Sequence, residues 1–464
     1  MESYKLMKNR PLWQYAIGLC LAAALPLPAL GQLNEQRGGP VRRGNVWTET
    51  YTWTAPAREG GRLILRADMG AVEITPGTGN QIEGRAVVRV YKGTEERARR
   101  VFDAFHLTAR TFESTGVYVS AEFAGSRRHD ESMGVEFDIK LPARFNLDVA
   151  TKGGDIDLEG TLQGEARLTT AGGDIHAADI SGPVRVETAG GNIGLGNLGA
   201  RAEVRTAGGN IHVGDVRGEG TIETSGGEIQ VGQVGGGLRA ETAGGDIVIA
   251  GAGGQVMAET AGGQIHVGPT VGSVRAQTAG GNIVLRGARG RVVAETTGGS
   301  IDLLQLGAGG RANTSAGRIV AEFDANTKTF LASQLESSMG DVCVYLPTNL
   351  ALTIDAAIDA AAGHHIVTDF PLSILGDKED FSERTIRGHG TLNGGGEVLR
   401  IRTVAGNIEI RKIDARSLQE IKSHEDTTWN RLQQHSAEKA QRERERQQER
   451  RQKQKEKENE RDEN

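Results

Sequence analysis

The side chains with a claim to chemistry lie on two neighbouring segments. Asp155 and Asp157 follow the pair Gly153-Gly154, and Asp174 and His176 follow Gly172-Gly173 at the same offsets. If the two segments lie side by side, Asp155 stands beside Asp174 and Asp157 beside His176. Three carboxylates and an imidazole on one face could bind a cation. A polysaccharide lyase built on a β-helix could begin from such a cluster. The bland alternative is a solvated polar face, because the equivalent positions elsewhere hold Asn192, Asn210, Glu228 and Asn282. No GxSxG, HExxH or P-loop motif occurs. The repeats also lack the third glycine and fixed aspartate of the calcium-binding nonapeptide. The expectation is therefore no catalytic residue, no metal and no cofactor, with Asp155, Asp157, Asp174 and His176 as a candidate surface patch.

The other polar groups are weaker candidates. His212 and His266 share the column of His176 but lie too far apart to share a metal, and both read as surface residues. His364-His365 is a lone pair in an Ala/Gly stretch. Glu223, Glu241 and Glu259 recur in step with Arg239 and Arg275 in the next column, which reads as a mixed-charge solvated face. The two cysteines, Cys20 and Cys343, cannot build a disulfide framework or a CxxC metal site. Cys343, inside Asp341-Val342-Cys343-Val344-Tyr345, reads as a small buried hydrophobe. The formal net charge of -6 argues against a protein that coats nucleic acid.

The elements that must position these groups are written in glycine. The chain has 66 glycines in 464 residues, only 11 prolines and 4% aromatics, which excludes collagen. Gly-Gly pairs begin at Gly153, Gly172, Gly190, Gly208, Gly226, Gly244, Gly262, Gly280 and Gly298, and Ala316-Gly317 continues them. After a first step of nineteen residues, every step is eighteen. Threonine always stands two residues before the pair, as Thr188 and Thr206 do, and isoleucine three after its first glycine, as Ile193 and Ile211 do. Apolar and polar residues alternate around these landmarks, the mark of half-buried strands. Each repeat predicts two short strands and two Gly-rich turns whose glycines suit φ > 0. One repeat cannot bury its own apolar face, but stacked copies can, giving an all-β, parallel β-helix-like solenoid with 18-residue coils. Ten coils at the strand spacing would form a rod of roughly 45–50 Å. The threonines would form a hydrogen-bonded ladder. An antiparallel sandwich or barrel with a hairpin at each AGG would also satisfy the alternation.

The flanks differ. Residues 1–31 read as a signal peptide: Lys5, Lys8 and Arg10 precede an apolar run from Leu12 to Leu30, with cleavage after Gly31. Residues 32–146 read as a β-rich capping region with one helix at about Thr94–Phe105, capped by Thr94 and striped by Val101, Phe102 and Phe105. Residues 147–330 hold the regular repeats. Residues 331–413 read as irregular C-terminal coils and a cap, in which Met339-Gly340-Asp341-Val342 and Ala405-Gly406-Asn407-Ile408 echo the turn. Residues 414–464 are a charged tail, helical or disordered, whose Arg442–Lys457 stretch could touch anionic envelope polymers. No stretch of the mature chain is long and apolar enough to span a membrane.

The run Phe137-Asp138-Ile139-Lys140-Leu141-Pro142, then Asp148-Val149-Ala150-Thr151-Lys152-Gly153-Gly154-Asp155-Ile156, resembles the bacterial putative-adhesin family, a domain family of unknown biochemical function with T-x-x-G-D/N-I repeats. Gly388-His389-Gly390-Thr391-Leu392-Asn393-Gly394-Gly395-Gly396 is similar to that family's C-terminal end. The resemblance covers about residues 46–413 and implies an extracytoplasmic β-solenoid with no established activity and no site residues to carry over. It points to an exported, non-enzymatic binding or structural protein of the cell envelope, periplasmic, surface-bound or released. Its partners would be cell-surface or envelope polysaccharide or protein, and not nucleic acid. A polysaccharide-acting β-helix enzyme using the Asp/His patch and a self-assembling envelope scaffold are the alternatives.

Overall fold

The computed structural model describes residues 31–413 apart from 34, 113–114, 125–132, 328–329, 362 and 377–384. The signal segment, Cys20 and the charged tail thus lie outside the described residues. The fold is a β-solenoid. Each coil contributes one longer strand to a first parallel sheet and one short strand to a second. Val184–Thr188, Ala202–Thr206 and Gly220–Thr224 stack in the first sheet. Ile193–Leu195, Ile211–Val213 and Ile229–Val234 stack in the second. Every partner is one repeat away, Val204 against Val186 and Ile222, so each side chain lies on its own equivalent. Parallel coil-on-coil pairing rules out the hairpin sandwich. Each coil also has a third side, where single residues bridge: Leu162, Ile180, Leu198, Val216 and Val234 in sequence, then Ala252, Thr270 and Ala288.

The turn between the two strands explains the repeat. Each column threonine donates its hydroxyl to the carbonyl of the second glycine one coil back, at 2.8–2.9 Å from Thr170 to Thr314. The same oxygen accepts the N–H of the second glycine in its own coil, at 3.2–3.4 Å. The ladder therefore joins threonine to glycine backbone, not threonine to threonine. It satisfies turn groups that burial removes from water. Nor do the regular pairs need φ > 0, a state that Gly154 adopts but the paired glycines from Gly172-Gly173 to Gly298-Gly299 do not. They need closeness. A Cβ on Gly191 would fall inside the carbonyl oxygen of Gly173, and the second glycine of every regular pair repeats that clash. A Cβ on Gly190 would meet Gly172 O at an ordinary 3.8 Å. The sequence agrees: Ala316, Met339 and Ala405 replace the first glycine, while Gly317, Gly340 and Gly406 keep the second.

The interior is narrow. The isoleucine column, from Ile156 to Ile319, is buried throughout. Two inward positions of the first-sheet strand trade volume within each coil. Ala202 accompanies Val204 and Gly220 accompanies Ile222, whereas Leu238 and Val256 accompany Ala240 and Ala258. Such compensation keeps a thin core at close-packed density.

Both ends are closed. Arg62–Ala67 and Ala71–Gly77 pair in parallel with Asn146–Thr151 and Ile156–Leu158, so the coil stack begins with residues 62–77. The chain between wraps the exposed end with Gly116–Phe123, Phe105–Phe112, Met133–Pro142, Gln81–Tyr91 and Val46–Pro56. The helix α1, Glu95–Ala104, starts at Thr94, whose hydroxyl accepts the Arg97 N–H, and it buries Val101 and Phe102. Glu49, buried at 2% exposure, ties this cap together: it pairs with Arg37 at 3.0 Å and accepts the Tyr51 hydroxyl at 2.6 Å. Burial and that carboxylate push the Tyr51 phenol well above its ordinary range. At the other end Val398–Ala405 and Ile408–Lys412 form the last coil, in register with Ser333–Met339 and Val342–Leu346. Leu352–Ile358 and Ile366–Thr368 pair beyond it, and Ile386–Leu392 runs antiparallel along Leu352–Ile358. These caps cover edges that would otherwise recruit other strands.

Candidate functional site

The coil register decides which polar groups meet. Asp157 lies opposite His176 in the second sheet, with His176 Nδ1 3.8 Å from Asp157 Oδ1 and both half-buried. Asp155 and Asp174 are neighbours in the adjacent column, but their carboxylates have structural work. Asp155 Oδ1 accepts the Asp174 N–H at 2.8 Å, and Asp174 Oδ1 accepts the Asn192 N–H at 2.7 Å. The column continues this way through Asn192, Asn210, Asp246 and Asn282, each side chain taking the N–H of the next coil at 2.8–2.9 Å. Asp341 takes the Asn407 N–H at 2.7 Å, which docks the last coil. Asp and Asn recur here because a short side-chain oxygen reaches one strand spacing to an open turn N–H.

A second ladder of the same kind escaped the sequence reading. Asp179, Asn197 and Asp215 accept the N–H groups of Asn197, Asp215 and Gln233 at 2.7, 3.1 and 2.8 Å. The signal was present, since Asp179, Asn197, Asp215 and Gln233 recur at the same eighteen-residue step.

The outer face of the first sheet is a charge lattice. Arg185 bonds Glu187 at 3.2 Å along its own strand and Glu203 at 2.9 Å in the next coil. Arg205 bonds Glu203 at 2.8 Å and Glu223 at 3.1 Å, and Arg239 pairs with Glu241. Farther on, Glu223, Glu241 and Glu259 lie directly opposite one another. Desolvation, with Glu223 and Glu259 nearby, pushes the Glu241 carboxyl upward against the pull of Arg239.

Two expectations change on the second sheet. His266 is not a surface residue; it is 2% exposed, with neither ring nitrogen hydrogen-bonded. Burial lowers its pKa, opposed by Asp246. Cys343 is a free thiol on the outward side of its strand and only half-buried, because its neighbours Val342 and Val344 take the inward positions. Burial pushes its thiol up. His364 and His365 sit at the C-terminal cap, where the His365 N–H bonds Asn407 Oδ1 at 3.1 Å. His212 meets Gln230 at 3.1 Å. Among the described residues no three His, Cys, Asp or Glu side chains are grouped to hold a metal ion. No helix among them is long and apolar enough to cross a membrane.

Comparison with known proteins gives the following. No curated protein matches the chain. A crystal structure of a putative cell adhesion protein from Clostridium sporogenes aligns at 10% identity over 82% of this chain and 100% of that one, with a TM-score of 0.15. A putative adhesin from Bacteroides fragilis aligns at 15% identity over 54% of this chain and 95% of that one, with a TM-score of 0.26. The family model described as Toastrack DUF4097 matches residues 65–268, from the first coil through the regular repeats. Over that span the chain is a match to the Toastrack DUF4097 family, in agreement with the putative-adhesin family that its repeats resemble.

Proposed function

We propose that this protein is an exported, non-enzymatic rod that binds envelope or cell-surface polymers through repeated weak contacts. The observation that carries the reading is the outer face of the first sheet. Its outward columns place Arg239, Arg275 and Arg311 on every second coil, beside Glu241 and Glu295, in fixed register. A polymer with regularly spaced polar groups can engage several coils at once, and each further contact is intramolecular, so avidity rises with the number engaged. Export rests on the basic and apolar character of residues 1–31. The structural work of Asp155 and Asp174 favours binding over chemistry at that patch. Retention of the protein on immobilised envelope polysaccharides of increasing length tests the reading. Binding should strengthen with polymer length and weaken in an Arg239→Ser/Arg275→Ser/Arg311→Ser variant.

One observation favours the enzymatic alternative, the Asp157–His176 pair 3.8 Å apart. Chain-end release from those polysaccharides that disappears in Asp157→Ala would establish it. Intact polymer after long incubation would remove it.

A further inference from the structure

The outer face of the first sheet changes character along the rod. In the earlier coils the arginines are cross-paired: Arg185 bonds Glu187 and Glu203, and Arg205 bonds Glu203 and Glu223. Farther on, one outward column runs Arg239, Met257, Arg275, Val293 and Arg311, each residue directly opposite the next in the parallel ladder. Arginine thus recurs on every second coil, two strand spacings or about 9.6 Å apart. The three arginines are exposed, and Met257 and Val293 between them are half-buried. Their counter-charges thin out along the column. Arg239 pairs with Glu241 and donates to Met257 Sδ at 3.0 Å. Arg275 stands beside Gln277, whose amide donates to Glu295 at 2.6 Å. The Arg275 guanidinium has no hydrogen-bond or ion-pair partner among the described residues. Arg311 stands beside Asn313 and comes within 3.9 Å of Glu295. Arg291 lies exposed two residues before Val293, on the same side of the chain, and donates to Ala332 O at 3.3 Å. Val293 is thus ringed by the guanidinium groups of Arg275, Arg291 and Arg311.

We propose that this column takes an acidic polysaccharide whose anionic groups fall on every second sugar, a ligand class that rests on the polymer-binding role proposed above. An extended pyranose chain advances by about one strand spacing per sugar, so it keeps step with the coils. In that register one carboxylate meets Arg275 and the next meets Arg311, each through charge-assisted hydrogen bonds. The sugar between them lies over Val293, and the sugar before Arg275 lies over Met257. An apolar side chain in an outward row suits the C–H face of a ring, whereas an acidic group there loses water without gaining a partner. The neighbouring column sets the other limit. Glu259 and Glu295 follow Met257 and Val293 by two residues on the same strands. A polymer charged at every sugar would therefore bring its additional charges to the two coils that carry a glutamate and no arginine. Like charge at those coils selects against dense polyanions, and the arginines select for sparse ones.

Binding of the full chain to three soluble polymers of matched length tests this. They are hyaluronan, with a carboxylate on every second sugar; the same polymer with its carboxyl groups reduced to alcohols; and polygalacturonate, with a carboxylate on every sugar. Hyaluronan should bind at least about tenfold more tightly than either of the others. Val293→Glu, which keeps every arginine, and Arg275→Gln should each weaken hyaluronan binding at least about fivefold, with the thermal unfolding midpoint unchanged. Equal or tighter binding of polygalacturonate or of single-stranded DNA would overturn the proposal, because density of charge and not its spacing would then decide. So would tight binding of the reduced polymer that both substitutions leave intact; polymer binding would survive that result and the acidic ligand would not. Binding to none of the three polymers would also overturn it, while the polymer-binding role stands or falls by retention on the envelope polysaccharides.

Discussion

At the residue scale the two glycines of each pair differ in kind. The second is fixed by a backbone carbonyl one coil away, the first by little beyond the turn itself. Gly191→Ala should therefore lose about 1–3 kcal/mol through forced separation of coils. Gly190→Ala should change stability by less than about 0.5 kcal/mol. Urea unfolding of the two variants checks this, and equal losses would contradict it. Charge gives a second test. Glu259 faces Glu241, whose carboxyl is raised chiefly by desolvation and then by its neighbours. A carboxyl raised in the folded state binds protons more readily there than in the unfolded chain. Its penalty is therefore present at neutral pH and relieved as pH falls through the raised value. Glu259→Gln should stabilise the protein at pH 7 by about 0.5 kcal/mol, an advantage that fades toward pH 4. His266 has the opposite dependence. Its lowered pKa means that the folded state resists protonation, so stability is lost as pH falls below about 6.5. His266→Leu should flatten the stability profile between about pH 6.5 and 5, measured by thermal unfolding.

At the element scale the turn is the unit that specifies the fold. One threonine hydroxyl serves two backbone groups from different coils, so Thr206→Val, nearly isosteric, strands Gly191 O and Gly209 N. The expected loss is about 2 kcal/mol by chemical denaturation. An unchanged midpoint would show that the ladder is ornamental. Much of this was legible in the sequence, because a stacked coil repeats both its environment and its residues. The eighteen-residue step, the inward isoleucines, the threonine column and the Thr94 cap all follow from local pattern. The features that were not legible lack that periodicity. The third side adds one residue per coil, so Leu162, Ile180 and Leu198 show no alternation. The coil at residues 62–77 has Ala67 and Met69 where the repeat has threonine and the first glycine, and a long excursion separates it from its partner. The burial of His266 is another, since His176 and His212 in the same column are only partly buried.

At the scale of the whole molecule the rod has two unlike faces. The first sheet shows a cross-paired charge lattice to solvent, whereas the outward column of the second mixes the polar Asp157 and His176 with the buried Val248, His266 and Val320. The candidate patch was half legible: the period places Asp157 beside His176, but the part that Asp155 and Asp174 play in the turns appears only when backbone N–H groups are located. The central claim is that repetition on the first sheet creates affinity. It is tested most directly by binding to one immobilised envelope polysaccharide prepared in graded lengths, comparing the native chain with Arg239→Ser/Arg275→Ser/Arg311→Ser. Affinity that climbs with polymer length in the native chain, and falls at least tenfold in the variant on the longest polymer, is the predicted result. Affinity independent of length, or equal in the two proteins, would contradict it.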